Sequence, residues 1–304
     1  MIKKILKTTL IFAITAGCII IMIVSELKNW PIGSSLGGLV AGITLPSLIS
    51  SFADLTDNEN WKTAQRKLER GKIIKKTDKV RVSFAYLFRI KVDGRYFLVK
   101  NARGTGKYQP VGGVYKLHEG EAQYLKNQYF VEDDYRIPVD QSSKNDYRLQ
   151  LQDKYLRRFV RRFNKTKYRE ALQDLSREFK EELFDTGILN ATGFGMLKYT
   201  YCGRHMTELK YSEHFQCYEL LLADVLDVEL TVDQEQKFRA LLSTNSDKYY
   251  FATADEIKSL GVVTGSSNLH ETIADHTAKI LQENAQYLSK RWICRSKNRI
   301  EVSL

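Results

Sequence analysis

Glu178, Glu181 and Glu182 stand at i, i+3 and i+4 within Tyr168–Leu189, YREALQDLSREFKEELFDTGIL. On a helix this spacing sets three carboxylates on one face, about 5–6 Å from one another. Ala171, Leu172, Leu175, Phe179 and Leu183 recur at helical period, so the stretch is expected to form one amphipathic helix. Crowded carboxylates repel unless a cation sits over them. An oxygen-rich site of this kind suits Mg²⁺ or Mn²⁺, which then bridge to phosphate oxygens. The plainer alternative is a solvated, glutamate-rich helix face.

A second set of residues lies upstream. Pro110-Val111-Gly112-Gly113 reads as a glycine turn, and Glu119 follows Gly113 after five residues. Together with Arg177-Glu178-Phe179-Lys180-Glu181-Glu182 this resembles the Nudix box: Gly, five residues, Glu, seven residues, then Arg-Glu-apolar-x-Glu-Glu. Two features depart from the pattern. The seven-residue spacer is replaced by the 57 residues Gly120 to Ser176, and the closing Gly187-Ile188 comes one helical turn late. The resemblance implies that Glu178, Glu181 and Glu182 hold metal, with Glu181 and Glu182 catalytic if the chain hydrolyses its ligand. It also implies that Arg177 pairs with Glu119 and that Gly113 shapes the turn. Arg103, Arg204 and His205 are expected to meet the ligand, although a lone histidine is more often merely exposed. A further acid is expected from Glu208, Glu213 or Glu219, with no choice among them.

Other elements must hold these residues in place. The chain has 304 residues, enough for one or two domains, and a formal net charge of +11, which favours anionic partners. Its four cysteines, Cys18, Cys202, Cys217 and Cys294, show no metal or redox spacing and read as reduced thiols. Residues 5–24 are apolar with a single lysine, and residues 31–52 carry no charge. Each run is long enough to cross a bilayer, and the second excludes a simple signal peptide. Lys3, Lys4 and Lys7 precede the first run, and nine basic residues against two acidic ones fill Lys62 to Arg81. Both termini are therefore expected in the cytoplasm. Gly33-x-x-x-Gly37 and Gly38-x-x-x-Gly42 lie in the second run and let helix backbones approach closely. They fit packing of the two spans within one subunit and a seam between subunits equally well.

Beyond the spans, residues 54–79 read as a basic helical connector ended by Gly71. Val80 to Lys91 and Arg95 to Val99 alternate as strands around an Asp93-Gly94 turn. Leu149 to Phe163 is expected to be helical. Lys154 to Arg169 holds eight basic residues and no acidic one, on a helix with an apolar side and a cationic side suited to phosphate or a membrane surface. Gly193 to Tyr201 and His214 to Ala223 read as strands. Thr231 to Leu242 reads as a short helix, Tyr249 to Ile257 as a strand entering a capped helix, and Leu269 to Leu288 as a final amphipathic helix. The expected organisation is a two-span hairpin (1–53), the connector (54–79), a Nudix-like α/β/α sandwich with a mixed sheet (80–290, insertion 120–176) and a tail (291–304).

Two spans, a basic connector and a Nudix-like domain with an enlarged box also resemble the membrane-Nudix effectors of bacterial cyclic-oligonucleotide anti-phage systems (CBASS). That resemblance implies a multi-pass protein of the bacterial inner membrane and a cyclic oligonucleotide second messenger as ligand. It further implies membrane lipid and further copies of the chain as partners, with no nucleic acid polymer. The competing expectation is a membrane-anchored, metal-dependent hydrolase of nucleoside diphosphate-linked substrates. A structural adaptor has no positive feature in its favour.

Overall fold

The computed structural model describes residues 2–56, 61–101, 105–136, 143–205, 207–244, 246–262, 270–283, 288–289 and 299–304. The chain divides into two compact units, Met1–Lys67 and Leu68–Leu304.

The first unit is a helical hairpin of α1 (Ile2–Leu27) and α2 (Pro31–Thr56). Pro31 opens α2 at the one helical position where a missing N–H costs nothing. Asn29, in the left-handed region at φ 51°, makes the reversal, which is closed by the Trp30 N–H donating to the Ser25 carbonyl at 2.8 Å. Thr8–Leu27 and Pro31–Ile49 have mean hydropathies of 2.5 and 1.6, long and apolar enough to cross a membrane. Leu10, Phe12, Ile20, Leu36, Leu39 and Ile43 are all exposed, so these are not helices wrapped inside a protein core. The two glycine pairs differ. A Cβ on Gly37 would fall 2.9 Å from the Cys18 carbonyl oxygen and 3.1 Å from the Met22 nitrogen, whereas one on Gly42 would meet nothing within 4 Å. Gly37 is thus a backbone contact between α1 and α2. We expect Gly37→Ile to force the helices apart and lower the yield of folded chain several-fold, while Gly42→Ile leaves the yield unchanged. Size-exclusion chromatography in detergent checks both.

The helix α3 (Trp61–Arg70) ends one residue before Gly71, and the division between units falls within it. The second unit is built on β1 (Lys79–Arg89), which pairs in parallel with β10 (Cys217–Val228) over its whole length. Its other edge is shared. β7 (Arg148–Gln152) pairs antiparallel with its first half and β5 (Gly112–Val114) with its second. β8 (Met196–His205) extends the sheet beyond β10. A smaller sheet joins β2 (Lys91–Val92), β3 (Arg95–Lys100), β4 (Tyr108–Gln109) and β11 (Tyr249–Ala252). Asp93 and Gly94 both take positive φ in the β2–β3 turn, as the Asp-Gly pair requires. Sheet and helices together give the expected α/β unit with a mixed sheet.

Alternation along β1 sorts its side chains. Phe84, Tyr86 and Phe88 enter an aromatic core with Tyr115, Tyr147, Phe159, Phe163, Phe179 and Tyr199. Arg81, Ser83, Ala85 and Leu87 point the other way and line a cavity. Small residues on that face leave it open.

The insertion leaves and rejoins the domain at one place. The Glu170 N–H donates to the Lys116 carbonyl at 3.0 Å, the His118 N–H donates to the Tyr168 carbonyl at 3.1 Å, and Leu117 bridges Arg169. The excursion therefore runs from about 118 to 168, not 120 to 176. Within it lie α4 (Glu119–Tyr129), β6 (Glu132–Asp133), β7 and α5 (Asp153–Lys165). Leu149 to Gln152 are strand, not the start of a helix. Their alternation of Leu and Gln is a period of two, and the helical period begins only at Leu156.

Three further expectations are corrected. Tyr168–Ala171 are not helical. The segment turns through a 3-10 turn (Leu172–Leu175), a short α6 (Ser176–Lys180) and a π turn (Glu181–Asp185). The final amphipathic helix is absent among the described residues. Asp275–Ile280 form a 3-10 turn, and the apolar Ile273, Ile280 and Leu281 owe their spacing to packing on Leu87, Leu98 and Ile257. Lastly, β13 (Arg299–Ser303) pairs with β8, so the sheet takes in residues beyond 290. The helices α7 (Val232–Leu242) and α8 (Ala254–Lys258) begin at capping boxes, Thr231/Gln234 and Thr253/Glu256.

Candidate functional site

The cavity on the open face of β1 has a volume of about 950 Å³. At one end stand Glu178, Glu181 and Glu182, facing Gly112 and Gly113. Gly112 sits at φ 154°, and a Cβ there would strike the Tyr86 carbonyl. The close approach of β5 to β1 thus requires glycine. It also lets the Gly112 N–H donate to the Glu182 Oε2 at 2.9 Å.

Arg177 organises the carboxylates. Its Nε donates to Glu170 Oε1 at 3.1 Å, and its Nη1 to Glu178 Oε1 at 2.8 Å and to Glu181 Oε2 at 3.1 Å. Its Nη2 donates to the Tyr86 hydroxyl at 3.3 Å. Glu170 also accepts from the Lys116 N–H at 3.2 Å, and its side chain is only 6 % exposed. The expected Arg177–Glu119 pair is therefore replaced by Arg177–Glu170. Glu119 opens α4 at an exposed site on the insertion. Glu170 lies seven residues before Arg177, one short of the box spacing, so the insertion precedes the box glutamate instead of following it. That near-match was the signal in the sequence.

Burial pushes the Glu182 carboxyl up to about 8, helped by Glu178 and Glu181 and opposed by the Gly112 N–H. Burial raises Glu178 and Glu170 as well, against the pull of Arg177. Whether these residues fit a divalent ion can be judged from their oxygens. Glu178 and Glu181 are turned to Arg177, Glu182 to Gly112, and among the described residues no three acidic, histidine or cysteine side chains converge as a metal site. As arranged, the set does not fit Mg²⁺ or Mn²⁺.

Away from the glutamates, cations outnumber the two aspartates of the lining, Asp146 and Asp275. Arg81, Lys116, Arg148, Lys248 and Lys279 line the cavity together with His276. Several are held in place. Arg81 bonds Asp134 at 2.6 Å and Glu219 at 3.1 Å under the Phe215 ring, and Arg148 meets Asp146 at 3.2 Å. Lys248 Nζ donates to the Thr186 carbonyl at 2.9 Å. Burial lowers the Lys279 pKa, countered by Asp275 and Glu219. The sequence reading missed these residues because they come from five separate segments. Of the three acids left open, Glu219 is the Arg81 partner, and Glu208 and Glu213 do not line the cavity.

Arg204 and His205, expected at the ligand, are not on this wall. Arg204 is 4 % exposed and binds Asp224 through two 2.8 Å bonds across the β8–β10 register. His205 is half-buried on β8, and burial together with the Lys279 charge pushes its pKa down to about 4. Arg103 lies outside the described residues. A depressed histidine makes a testable statement about pH. The stability gained by keeping His205 neutral is complete above the unfolded value near 6.5 and is lost as pH falls towards 4. After discounting for partial exposure, this amounts to about 1–2 kcal/mol. We expect His205→Gln to flatten the fall in melting temperature between pH 6.5 and 4.5, as read by circular dichroism.

The family model described as SMODS-associated NUDIX domain matches residues 79–281. The chain belongs to this family. No curated protein and no solved structure matches it. Membership gives the chain a CBASS-associated effector context and a role in antiviral defence. The Nudix family generally uses divalent metals; in this chain the box carboxylates are bonded to Arg177 and to the Gly112 N–H.

Proposed function

We propose that the chain is a ligand-gated membrane effector of a CBASS-type system. In this reading its Nudix-like domain is a sensor for a cyclic oligonucleotide, and its apolar hairpin is the part that harms the inner membrane. The observation that carries this reading is the cavity. A space of about 950 Å³ lies at the upper end of the usual range for ligand pockets, and most of its charged wall is cationic. Of the box carboxylates, Glu178 and Glu181 are paired with Arg177, and Glu182 accepts from the Gly112 N–H. An anionic ligand would meet Lys116, Lys248 and Lys279 without needing a metal to shield it from the glutamates.

The hairpin supplies the output. Its exposed apolar surface suits lipid, and Gly42 lies on a face of α2 away from α1, where a second hairpin could approach closely. Ligand drives such assembly only if it binds the assembled state more tightly than the free one. In this reading the flanking lysines and arginines favour a cytoplasmic position for both termini, where the domain would meet a cytosolic messenger.

Dye leakage from bacteria co-expressing a cyclic-oligonucleotide synthase tests the proposal. We expect leakage that depends on the synthase, persists in Glu181→Gln/Glu182→Gln and falls at least tenfold in Lys248→Glu/Lys279→Glu. Leakage that requires the two glutamates would favour the metal-dependent hydrolase. Absence of leakage in the wild type would defeat the effector reading.

A further inference from the structure

The insertion presents a face that the cavity does not use. Lys154, Arg158, Arg161 and Lys165 fall at i, i+4, i+7 and i+11 of α5 and are exposed, while Leu156, Phe159, Val160 and Phe163 are buried on the opposite side. At 1.5 Å per residue the cations form a line about 16 Å long. Among the described residues none of the four is in an ion pair with an acidic side chain. Their spacing sets like charges against one another along the helix, and Lys154 in the first turn opposes the helix dipole. Solubility is served by interspersed charges of both signs, so this line has no use within the domain. Beside it lies a cleft of about 330 Å³ lined by Tyr129, Arg158, Arg161, Arg162 and Lys165, large enough for a phosphate-bearing head group.

Aromatic side chains flank the cations. Phe130 takes the left-handed conformation at φ 51° to end α4; the residue is 64 % exposed, with its ring 5.8 Å from that of Tyr155. Tyr124 and Tyr168 are also exposed. A bulky residue held at positive φ with its ring in solvent is unfavourable for the isolated fold. Aromatic rings beside lysine and arginine are what the head-group region of an anionic bilayer favours. Single-stranded nucleic acid needs open ring faces for stacking. Here Tyr124 and Tyr129 meet edge-on at 76° and Tyr129 is tilted 55° from Tyr155, so these rings form no parallel platform.

We propose that this face of the insertion binds an anionic phospholipid surface, with Phe130 entering the head-group layer and the α5 cations meeting lipid phosphates. The proposal rests on the membrane placement of the hairpin given above, and it is independent of any nucleotide ligand.

The test uses the full chain carrying Phe130→Trp in nanodiscs with brominated acyl chains. One set of discs is purely zwitterionic and the other contains phosphatidylglycerol. The unmodified chain provides the background from Trp30, Trp61 and Trp292. We expect the added tryptophan to be quenched at least twofold more in the anionic discs. That excess should vanish in Arg158→Glu/Arg161→Glu/Lys165→Glu and shrink in the milder Arg158→Gln/Arg161→Gln. Equal quenching in both discs, or quenching indifferent to the charge substitutions, would overturn the proposal. So would binding of a labelled single-stranded oligonucleotide that is lost in the same variants while lipid quenching is not. A chain that fails to co-purify with zwitterionic discs would overturn the membrane placement of the hairpin, and this inference with it.

Discussion

Asp224→Ala is expected to cost the domain about 3–5 kcal/mol, the range for removing one partner of a buried ion pair. Asp224 is fully buried and accepts hydrogen bonds from Arg204, Tyr115 and Tyr201. Arg204 Nε and Nη2 donate at 2.8 Å each, the Tyr115 hydroxyl at 2.7 Å and the Tyr201 hydroxyl at 3.1 Å. Without it the Arg204 guanidinium, 4 % exposed, keeps, among the described residues, Asn164 Oδ1 at 2.8 Å and the face of Phe163. Asn164 belongs to α5, so the same guanidinium fastens the insertion to the sheet. Arg204→Met should cost nearly as much, because it strands the Asp224 carboxylate. The pair Asp224→Leu/Arg204→Met should recover most of the loss, since buried ion pairs are often replaced by apolar residues at little cost. Thermal unfolding of these proteins together with Asp224→Leu, the single change that the pair contains, closes the cycle. If Asp224→Ala costs less than about 1 kcal/mol, the range of an exposed pair, then Arg204 is free to serve a ligand, as its position in the sequence suggested.

That network also shows where the sequence stops being legible. The strands were readable because β1 alternates over its whole length, with one face in the aromatic core and the other lining the cavity. The Asp93-Gly94 turn and the Thr253/Glu256 cap were readable because each rests on local geometry. Arg204 was misjudged because its neighbour across the sheet, Asp224, lies twenty residues on in the chain, and nothing local pairs them. The box glutamate was misassigned for a similar reason. Glu119 and Glu170 both stand at plausible distances from a box element, and only the closure at Lys116 and Glu170 decides between them. The apolar rhythm of residues 269–288 looked helical because Ile273, Ile280 and Leu281 pack on strands that the sequence does not place beside them. For residues 269–288 the periodicity was read correctly as burial; in all three cases the partner was set by topology.

The second large effect is expected at Arg177. Arg177→Met leaves Glu170 and Glu178, with side chains 6 % and 16 % exposed, facing each other and Glu181 without a cation. Burial already raises both carboxyls, and Arg177 is the main force holding them down. Its removal should therefore cost about 3–5 kcal/mol at pH 8, and less at pH 5. A carboxyl whose folded pKa is raised above its unfolded value stabilises the fold below the unfolded value, and that stability is lost as pH rises through the folded one. Acid should thus partly rescue the variant by protonating Glu170 and Glu178. A divalent cation should do the same by another route, because oxygens released from Arg177 become available to Mg²⁺ or Mn²⁺. We expect millimolar Mg²⁺ to raise the melting temperature of Arg177→Met by several degrees at pH 8 and to leave the wild type unchanged. The contrast separates the two functions that the same glutamates could serve. If Mg²⁺ stabilises the wild type equally, the ion is held with Arg177 in place, and hydrolysis becomes the activity to measure. If only the variant responds, Arg177 itself is the site's resident cation, and the cavity is built for recognition of an anion.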